Sequence, residues 1–228
     1  MQIAEIFYSL QGEGRLIGVP SVFIRISGCN LRCAWCDTPY TSWEPEGRPL
    51  RIDEIIQEVA KYPSRFVVIT GGEPFLAPEI AELTQALKQS GAHITIETAA
   101  TIFKSVSCDL LSMSPKLANS TPWKKQQGRF AKMHEARRLD LTVIEKFLDS
   151  YQCQIKFVVE RPADFDEVCG ILAKLDRVDP NRVLIMAQGT TSRQIQSKAR
   201  WIVELCKKFG FGYTPRLHVD LYGNRRGT

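Results

Sequence analysis

Short runs of β-branched and apolar residues alternate along the chain with stretches in which apolar residues recur every three or four positions. The apolar runs are Ser21 to Ser27 (SVFIRIS), Phe66 to Thr70 (FVVIT), His93 to Glu97 (HITIE), Asp109 to Met113, Gln154 to Glu160 (QIKFVVE), Arg182 to Ala187 (RVLIMA) and Arg216 to Val219. Each reads as a strand. After Pro78, the spacing of Ile80, Leu83 and Leu87, with Gly91 as a stop, predicts an amphipathic helix. Ser192 to Phe209 repeats the logic through Ile195, Ala199, Ile202, Val203 and Cys206, which makes Cys206 a core residue. Ile52 to Lys61, Leu141 to Phe147 and Phe165 to Leu175 also fit helices. Strand, helix and strand repeated five or six times require parallel pairing with right-handed crossovers, so the fold class is α/β. An open doubly wound sheet and an incomplete barrel both fit the pattern, but 228 residues are short for an eight-unit barrel of about 250. In either architecture a ligand sits beyond the carboxyl ends of the strands.

A composition of 44% apolar and 24% charged residues excludes a disordered tail, a collagen and a coiled coil. No run of 18 apolar residues appears, and the opening MQIAEIFYSLQGEGR lacks the marks of a secretory signal. A soluble, cytoplasmic protein with no membrane partner is the expectation. The net charge of +5 is small. One cluster stands out, Lys124, Lys125, Arg129, Lys132, Arg137 and Arg138 in WKKQQGRFAKMHEARR, which reads as a solvated, mobile loop or as a contact for an anionic partner. Arg225 and Arg226 carry the same ambiguity.

Seven cysteines are an odd number, and three of them, Cys29, Cys33 and Cys36, fall within eight residues while the others scatter. That is no disulfide framework. The C-x3-C-x2-C spacing, delivered by the loop after a buried strand, lets three thiolates face a common centre. A saturated 4Fe-4S cluster takes four cysteines, so three leave one iron open. Structural zinc is the alternative, but such sites draw paired ligands from two knuckles, and the chain has no second C-x2-C or H-x3-H.

This loop resembles that of the radical S-adenosylmethionine enzymes. The resemblance implies a partial (β/α) barrel of about six parallel strands, a single domain over 1–228, a 4Fe-4S cluster held by Cys29, Cys33 and Cys36, and S-adenosylmethionine on the open iron. It also implies a 5′-deoxyadenosyl radical as the oxidant. Gly71-Gly72-Glu73-Pro74 ends a buried strand with two glycines that allow close backbone approach. It is similar to the family's GGEP element, with Gly72 and Glu73 as cofactor contacts. Ser114, Pro115 and Lys116 resemble the SPK element. Trp35, Cys36, Asp37, Gln154, Lys156 and Gln188 complete the cofactor contacts that the resemblance implies.

At the amino end, Gln11 and Glu13 lie between Gly12 and Gly14 on a tight loop, and Arg25 sits in mid-strand among apolar neighbours. A buried arginine needs an anion: Glu97, Glu73, or a substrate carboxylate held by a bidentate fork. The run SLQGEG, FIR, CNLRCAWCDT, TGGEP, SPK and the closing RLHVDLYGNRRGT resembles the family of 7-carboxy-7-deazaguanine synthases over nearly the whole chain. That resemblance implies a pterin substrate, 6-carboxy-5,6,7,8-tetrahydropterin, contracted with loss of ammonia. The implied substrate contacts are Leu10, Gln11, Gly12, Glu13, Arg25, Thr70, Glu97 and Thr228, with Thr38 as a magnesium ligand. A flavodoxin-like electron donor, a homodimer and no nucleic-acid partner are further expectations. The alternatives are a radical activating enzyme of other specificity and a zinc-stabilised nucleic-acid-binding module. His93, His134 and His218 read as structural histidines.

Overall fold

The computed structural model describes residues 1–176 and 178–228. The chain opens with β1 (Gln2–Leu10), which pairs antiparallel with β2 (Pro20–Ile26) on one side and with the two-residue β3 (Arg48–Pro49) on the other. Beyond β2 the sheet is parallel and in chain order: β4 (Phe66–Gly71), β5 (His93–Thr98), β6 (Leu110–Met113), β7 (Cys153–Val159), β8 (Val183–Ala187) and a short β9 (Gly212–Tyr213). The six expected parallel strands are β2 and β4 to β8. A doubly wound sheet reverses its strand order at a switch point. Here the parallel order runs without reversal, as in a barrel opened at one side.

The helices are α1 (Ile52–Val59), α2 (Ile80–Gln89), α3 (Ala131–Arg137), α4 (Leu141–Ser150), α5 (Ala163–Leu172), α6 (Ser192–Phe209) and α7 (Leu217–Tyr222). Local chemistry sets their ends. Asp140 caps α4 by accepting from Val143 N, and Thr191 caps α6 by accepting from Gln194 N. Gly210, at φ 72°, stops α6.

The expected strand at Arg216 to Val219 is instead the start of α7, and β1 lies outside the strands that the apolar runs predict. Four residues are too few to separate a period of 2 from one of 3.6. Val219 N and Asp220 N both bond to Arg216 O, and Gly223 ends the turn. In β1 the charged Glu5 and the polar Gln2 and Ser9 obscure the alternation.

Strand side chains alternate between two faces. Ile24, Ile69, Ile96, Leu111, Ile155, Phe157 and Ile185 point outward, are fully buried, and share one core with Leu83 and Leu87 of α2, Phe147 of α4 and Ile202 of α6. Each contributes roughly 1.5–3 kcal/mol of transfer free energy. Cys206 lies in this core as expected. The opposite residues, Phe23, Arg25, Thr70, Glu97, Ser112, Lys156, Val158 and Met186, point inward and line a cavity.

The β4 turn fixes where the cysteine loop begins. Gly72 N donates to Ile26 O (3.0 Å) and Glu73 N to Gly28 O (2.9 Å). Gly71 has φ +131°, and a Cβ there would lie 2.1 Å from Ile26 O. The close approach that this glycine allows is therefore to the chain's own backbone. Gly71→Ala is expected to lose at least about 2 kcal/mol of stability, measured by chemical denaturation. An unchanged midpoint would show that the strand end shifts freely.

Candidate active site

The inward-facing residues enclose a cavity of about 450 Å³ at the carboxyl ends of the parallel strands. The register brings its polar wall together: Arg25 is opposite Thr70, and Glu97 is opposite Ser112. Thr70 Oγ1 donates to Glu97 Oε2 (2.9 Å), and Gln11 Nε2 donates to Glu97 Oε1 (3.2 Å). Phe7 and Phe23 stack at 4.9 Å beneath them, with the Arg25 guanidinium 5.5 Å from the Phe7 ring centre. Arg25 bonds through Nε to Glu5 Oε1 (2.6 Å), its cross-strand neighbour in β1. The partners expected from sequence, Glu97 and Glu73, are engaged elsewhere. Glu5 was hidden because β1 itself was not recognised.

At the other end, Cys29, Cys33 and Cys36 line the same cavity as free thiols. Burial pushes Cys29 and Cys33 up to about 12, although Leu31 N donates to Cys29 Sγ (3.4 Å). Iron binding displaces such protons. Among the described residues no three His, Cys, Asp or Glu side chains converge on one ion. A cuboidal cluster takes one thiolate per iron, and three thiols of one loop lining one cavity supply that for three irons. The donor set therefore fits a cluster.

The loop is braced from behind by the basic segment that read as mobile. Ala34 N donates to Ser120 O (2.7 Å), and Arg32 N to His134 Nδ1 (3.0 Å). His134 is fully buried, its other ring nitrogen 2.9 Å from Ser120 Oγ. Burial lowers its pKa to about 4, so the ring is neutral and Nδ1 can accept. Trp43 donates to Cys33 O (3.0 Å) and meets Phe130 edge-on at 5.7 Å. The segment folds as a tight turn followed by α3, and it serves the cysteine loop.

Between the two ends lies a buried ion network. Lys156 and Arg216, each 7% exposed, both pair with Glu13, Arg216 through Nε at 2.9 Å. Arg216 also pairs with Asp37 of the cysteine loop and donates to Gly189 O (2.6 Å). Burial alone would raise Glu13, but Lys156 and Arg216 hold its carboxyl well below the usual range. Burial likewise opposes charge on Arg216, and Asp37 and Glu13 outweigh it.

Of the residues proposed from sequence, Leu10, Gln11, Gly12, Glu13, Arg25, Trp35, Asp37, Thr38, Thr70, Gly72, Glu97, Ser114, Lys116, Lys156 and Thr228 line this cavity with the three cysteines. Glu73, Pro115, Gln154 and Gln188 do not. Glu73 is fully buried, accepting from Thr98 Oγ1 (2.7 Å), Ala99 N (2.9 Å) and Phe75 N (3.2 Å). Gln154 bonds to Ser112 Oγ (2.8 Å) and accepts from Arg15 N (2.9 Å). Gln188 meets Lys198. His93 packs at a tilt against Phe66, whereas His218 faces the cavity, where Gly12 leaves it room: a Cβ on Gly12 would lie 1.9 Å from His218 Nδ1.

Sequence reasoning missed Arg216, His218 and Tyr40. The closing run reads as a strand, which gives no reason to aim the first two at the site. Their one signal was an arginine and a histidine within the apolar closing run. Tyr40 donates to Glu5 Oε1 (2.6 Å), and Arg226 stacks 4.1 Å from its ring centre, which carries the carboxyl-terminal tail to the cavity.

A strand-end cavity with a three-cysteine loop at one side and a polar wall at the other defines the class, and residues 23–179 match the Radical SAM superfamily. The 7-carboxy-7-deazaguanine synthase of Rhodopirellula baltica is 44% identical over 99% of this chain and 88% of its own. That of Halobacterium salinarum is 43% identical over 98% and 91%. The crystal structure of QueE from Escherichia coli superposes with a TM-score of 0.70 at 26% identity, covering 95% of this chain and 94% of that one. The chain belongs to the 7-carboxy-7-deazaguanine synthase family of radical SAM enzymes, whose cofactors are a 4Fe-4S cluster and S-adenosylmethionine.

Glu13→Ala would leave Lys156 and Arg216 buried without their shared anion and is expected to cost about 3–5 kcal/mol. Because the folded pKa of Glu13 is depressed, its contribution is present above pH 4.5 and is lost as pH falls. Glu13→Gln should therefore flatten the acid limb of a stability-against-pH curve, and an acid limb like that of the unsubstituted protein would contradict the assignment.

Proposed function

We propose that this chain, as one radical SAM domain over 1–228, converts 6-carboxy-5,6,7,8-tetrahydropterin to 7-carboxy-7-deazaguanine with loss of ammonia, a step of queuosine and deazapurine biosynthesis. The observation that carries the reading is one cavity with three free thiols at one side and Arg25, Gln11, Thr70 and Glu97 at the other. When bound, the cluster and S-adenosylmethionine supply a radical able to take hydrogen from an unactivated carbon.

The chain's own groups divide the remaining work. Arg25, tethered through Nε, offers the rest of its guanidinium to the substrate carboxylate. The Glu97 carboxylate, fixed by Thr70 and Gln11, accepts from the pterin's N–H edge. Phe7 and Phe23 give the ring an apolar floor. Gly72, Ser114 and Lys116 hold the nucleoside; Lys116 Nζ is 2.9 Å from Ser114 Oγ and 5.9 Å from the Trp35 ring centre. Glu73 and Gln154 act by fixing the backbone around them.

Magnesium belongs to the same reading. The Thr38 hydroxyl does not cap the turn that starts at Pro39, and it lines the cavity 3.9 Å from Cys36 Sγ. It takes only a long contact from Thr41 Oγ1 (3.4 Å), which leaves a lone pair to give to an ion that otherwise takes water and the substrate carboxylate. A cytoplasmic location, a flavodoxin-like donor and a homodimer complete the proposal. No helix among the described residues is long and apolar enough to cross a membrane.

Anaerobic reconstitution with iron and sulfide should give a brown protein that consumes the carboxypterin and releases the deazaguanine acid, followed by mass spectrometry. Cofactor cleavage without carboxypterin turnover would assign another specificity, and a colourless protein with stoichiometric zinc would end the radical reading. Arg25→Ala is expected to keep cluster absorbance and S-adenosylmethionine affinity while lowering kcat/KM at least about 100-fold, the loss of a charge-assisted pair in a desolvated site. Full activity in that variant would refute the carboxylate clamp.

A further inference from the structure

Glu5 stands one layer behind the cavity and holds three residues that line it. Its Oε1 accepts from Arg25 Nε and from the Tyr40 hydroxyl, each at 2.6 Å, and its Oε2 lies 3.6 Å from Arg226 Nε. Arg25, Tyr40 and Arg226 face the cavity, whereas Glu5, mostly buried, does not. A local irregularity of β1 brings it there. Between Ile3, opposite Ile26, and Glu5, opposite Arg25, β1 carries one residue more than β2. Such a bulge re-aims the side chains that follow it. Ile3 packs in the outer core, while Phe7, also at an odd position, packs with Phe23 on the inner face. Without the extra residue Glu5 would share the face of Ile3 and turn away from Arg25.

An arginine and a carboxylate paired for strength form a bidentate fork. Here Tyr40 shares Oε1 and Arg226 approaches Oε2, so Glu5 takes only the Nε corner of Arg25. Neither Nη of Arg25 has a hydrogen-bond partner among the described residues. Burial, with the bond to Glu5, pushes the Tyr40 phenol up, so it stays a donor at neutral pH. The Arg226 guanidinium covers the Tyr40 ring at 4.1 Å and is held in turn by Glu46 (2.8 Å). The Glu5 carboxylate is thus pinned at both oxygens, and it presents the free edge of Arg25 in one orientation. We propose that Glu5 is a positioning residue for the reaction: its reach from β1 sets where Arg25 holds the substrate carboxylate, and so where the carbon bearing that carboxylate stands before the radical. The inference rests on the carboxylate clamp proposed above and adds what fixes the clamp. Hydrogen transfer needs its two partners in near contact, and a displacement of about 1 Å can cost about 100-fold in rate.

Two substitutions separate reach from charge. Glu5→Gln keeps the reach, and an oxygen that accepts from Nε and the phenol, but removes the charge. Glu5→Asp keeps the charge and is one methylene shorter. In the reconstituted enzyme, Glu5→Asp should lower kcat for the carboxypterin at least about 30-fold with KM within about threefold, and should release more 5′-deoxyadenosine per product. Glu5→Gln should keep kcat within about threefold. Equal kcat in Glu5→Asp and the unsubstituted protein would overturn the proposal. So would a Glu5→Gln protein as slow as Glu5→Asp, which would assign the effect to charge, or a rise in KM alone, which is lost affinity rather than lost position. A readout that needs no turnover is the Arg25 Nε–H resonance of protein labelled with nitrogen-15 arginine, assigned by its loss in Arg25→Ala. It should exchange slowly with water in the unsubstituted and Glu5→Gln proteins and fast in Glu5→Ala. Fast exchange in the unsubstituted protein would overturn the proposal even if every substituted protein failed to fold. Failure of the unsubstituted enzyme to consume the carboxypterin would instead reject the assigned reaction, and the Nε–H signal would still decide whether Glu5 holds Arg25.

Discussion

The buried guanidinium of Arg216 ties together parts of the chain that are remote in sequence. It reaches Glu13 on the amino-terminal loop, Asp37 beside the last cluster cysteine, and the carbonyl of Gly189 after β8. Lys156 of β7 shares Glu13 with it. A buried charge network is tolerated only when every member is paired, so each of these segments constrains the others. Substrate-side and cluster-side loops are thereby held in one frame, as radical chemistry between two bound molecules requires.

The sheet makes that frame possible by giving its two faces different work. Isoleucines and Phe157 on the outer face pack under helices and stabilise the fold, which leaves the inner face free to carry Arg25, Thr70, Glu97, Ser112 and Lys156. Parallel register then sets these polar residues side by side near the strand ends. A slip of one residue would turn the polar wall into the core and break both functions at once.

The cysteine loop packs Leu31 and Cys33 against Ala99, and the rest of its shape comes from what surrounds it. The β4 turn holds its start, the Pro39 turn holds its end, and Ser120, His134 and Trp43 hold its outer side. Neutral His134 accepts from the backbone beside Cys33, a role for a lone histidine that needs burial rather than charge.

The sequence by itself determined the six parallel strands, the helices that cover them and the cysteine triad, because periodicity and close spacing are local properties. It also marked Arg25 as a charge in mid-strand among apolar neighbours and, through the family resemblance, Gln11, Glu13, Thr70 and Glu97. Only the tertiary structure decided which charges meet: Arg25 with Glu5, Arg216 with Glu13 and Asp37, and the basic segment with the back of the cysteine loop. A pairing between residues 20 to 203 positions apart leaves no periodic trace in the chain, and whether a four-residue run such as RLHV becomes strand or helix depends on the partners waiting for its buried arginine.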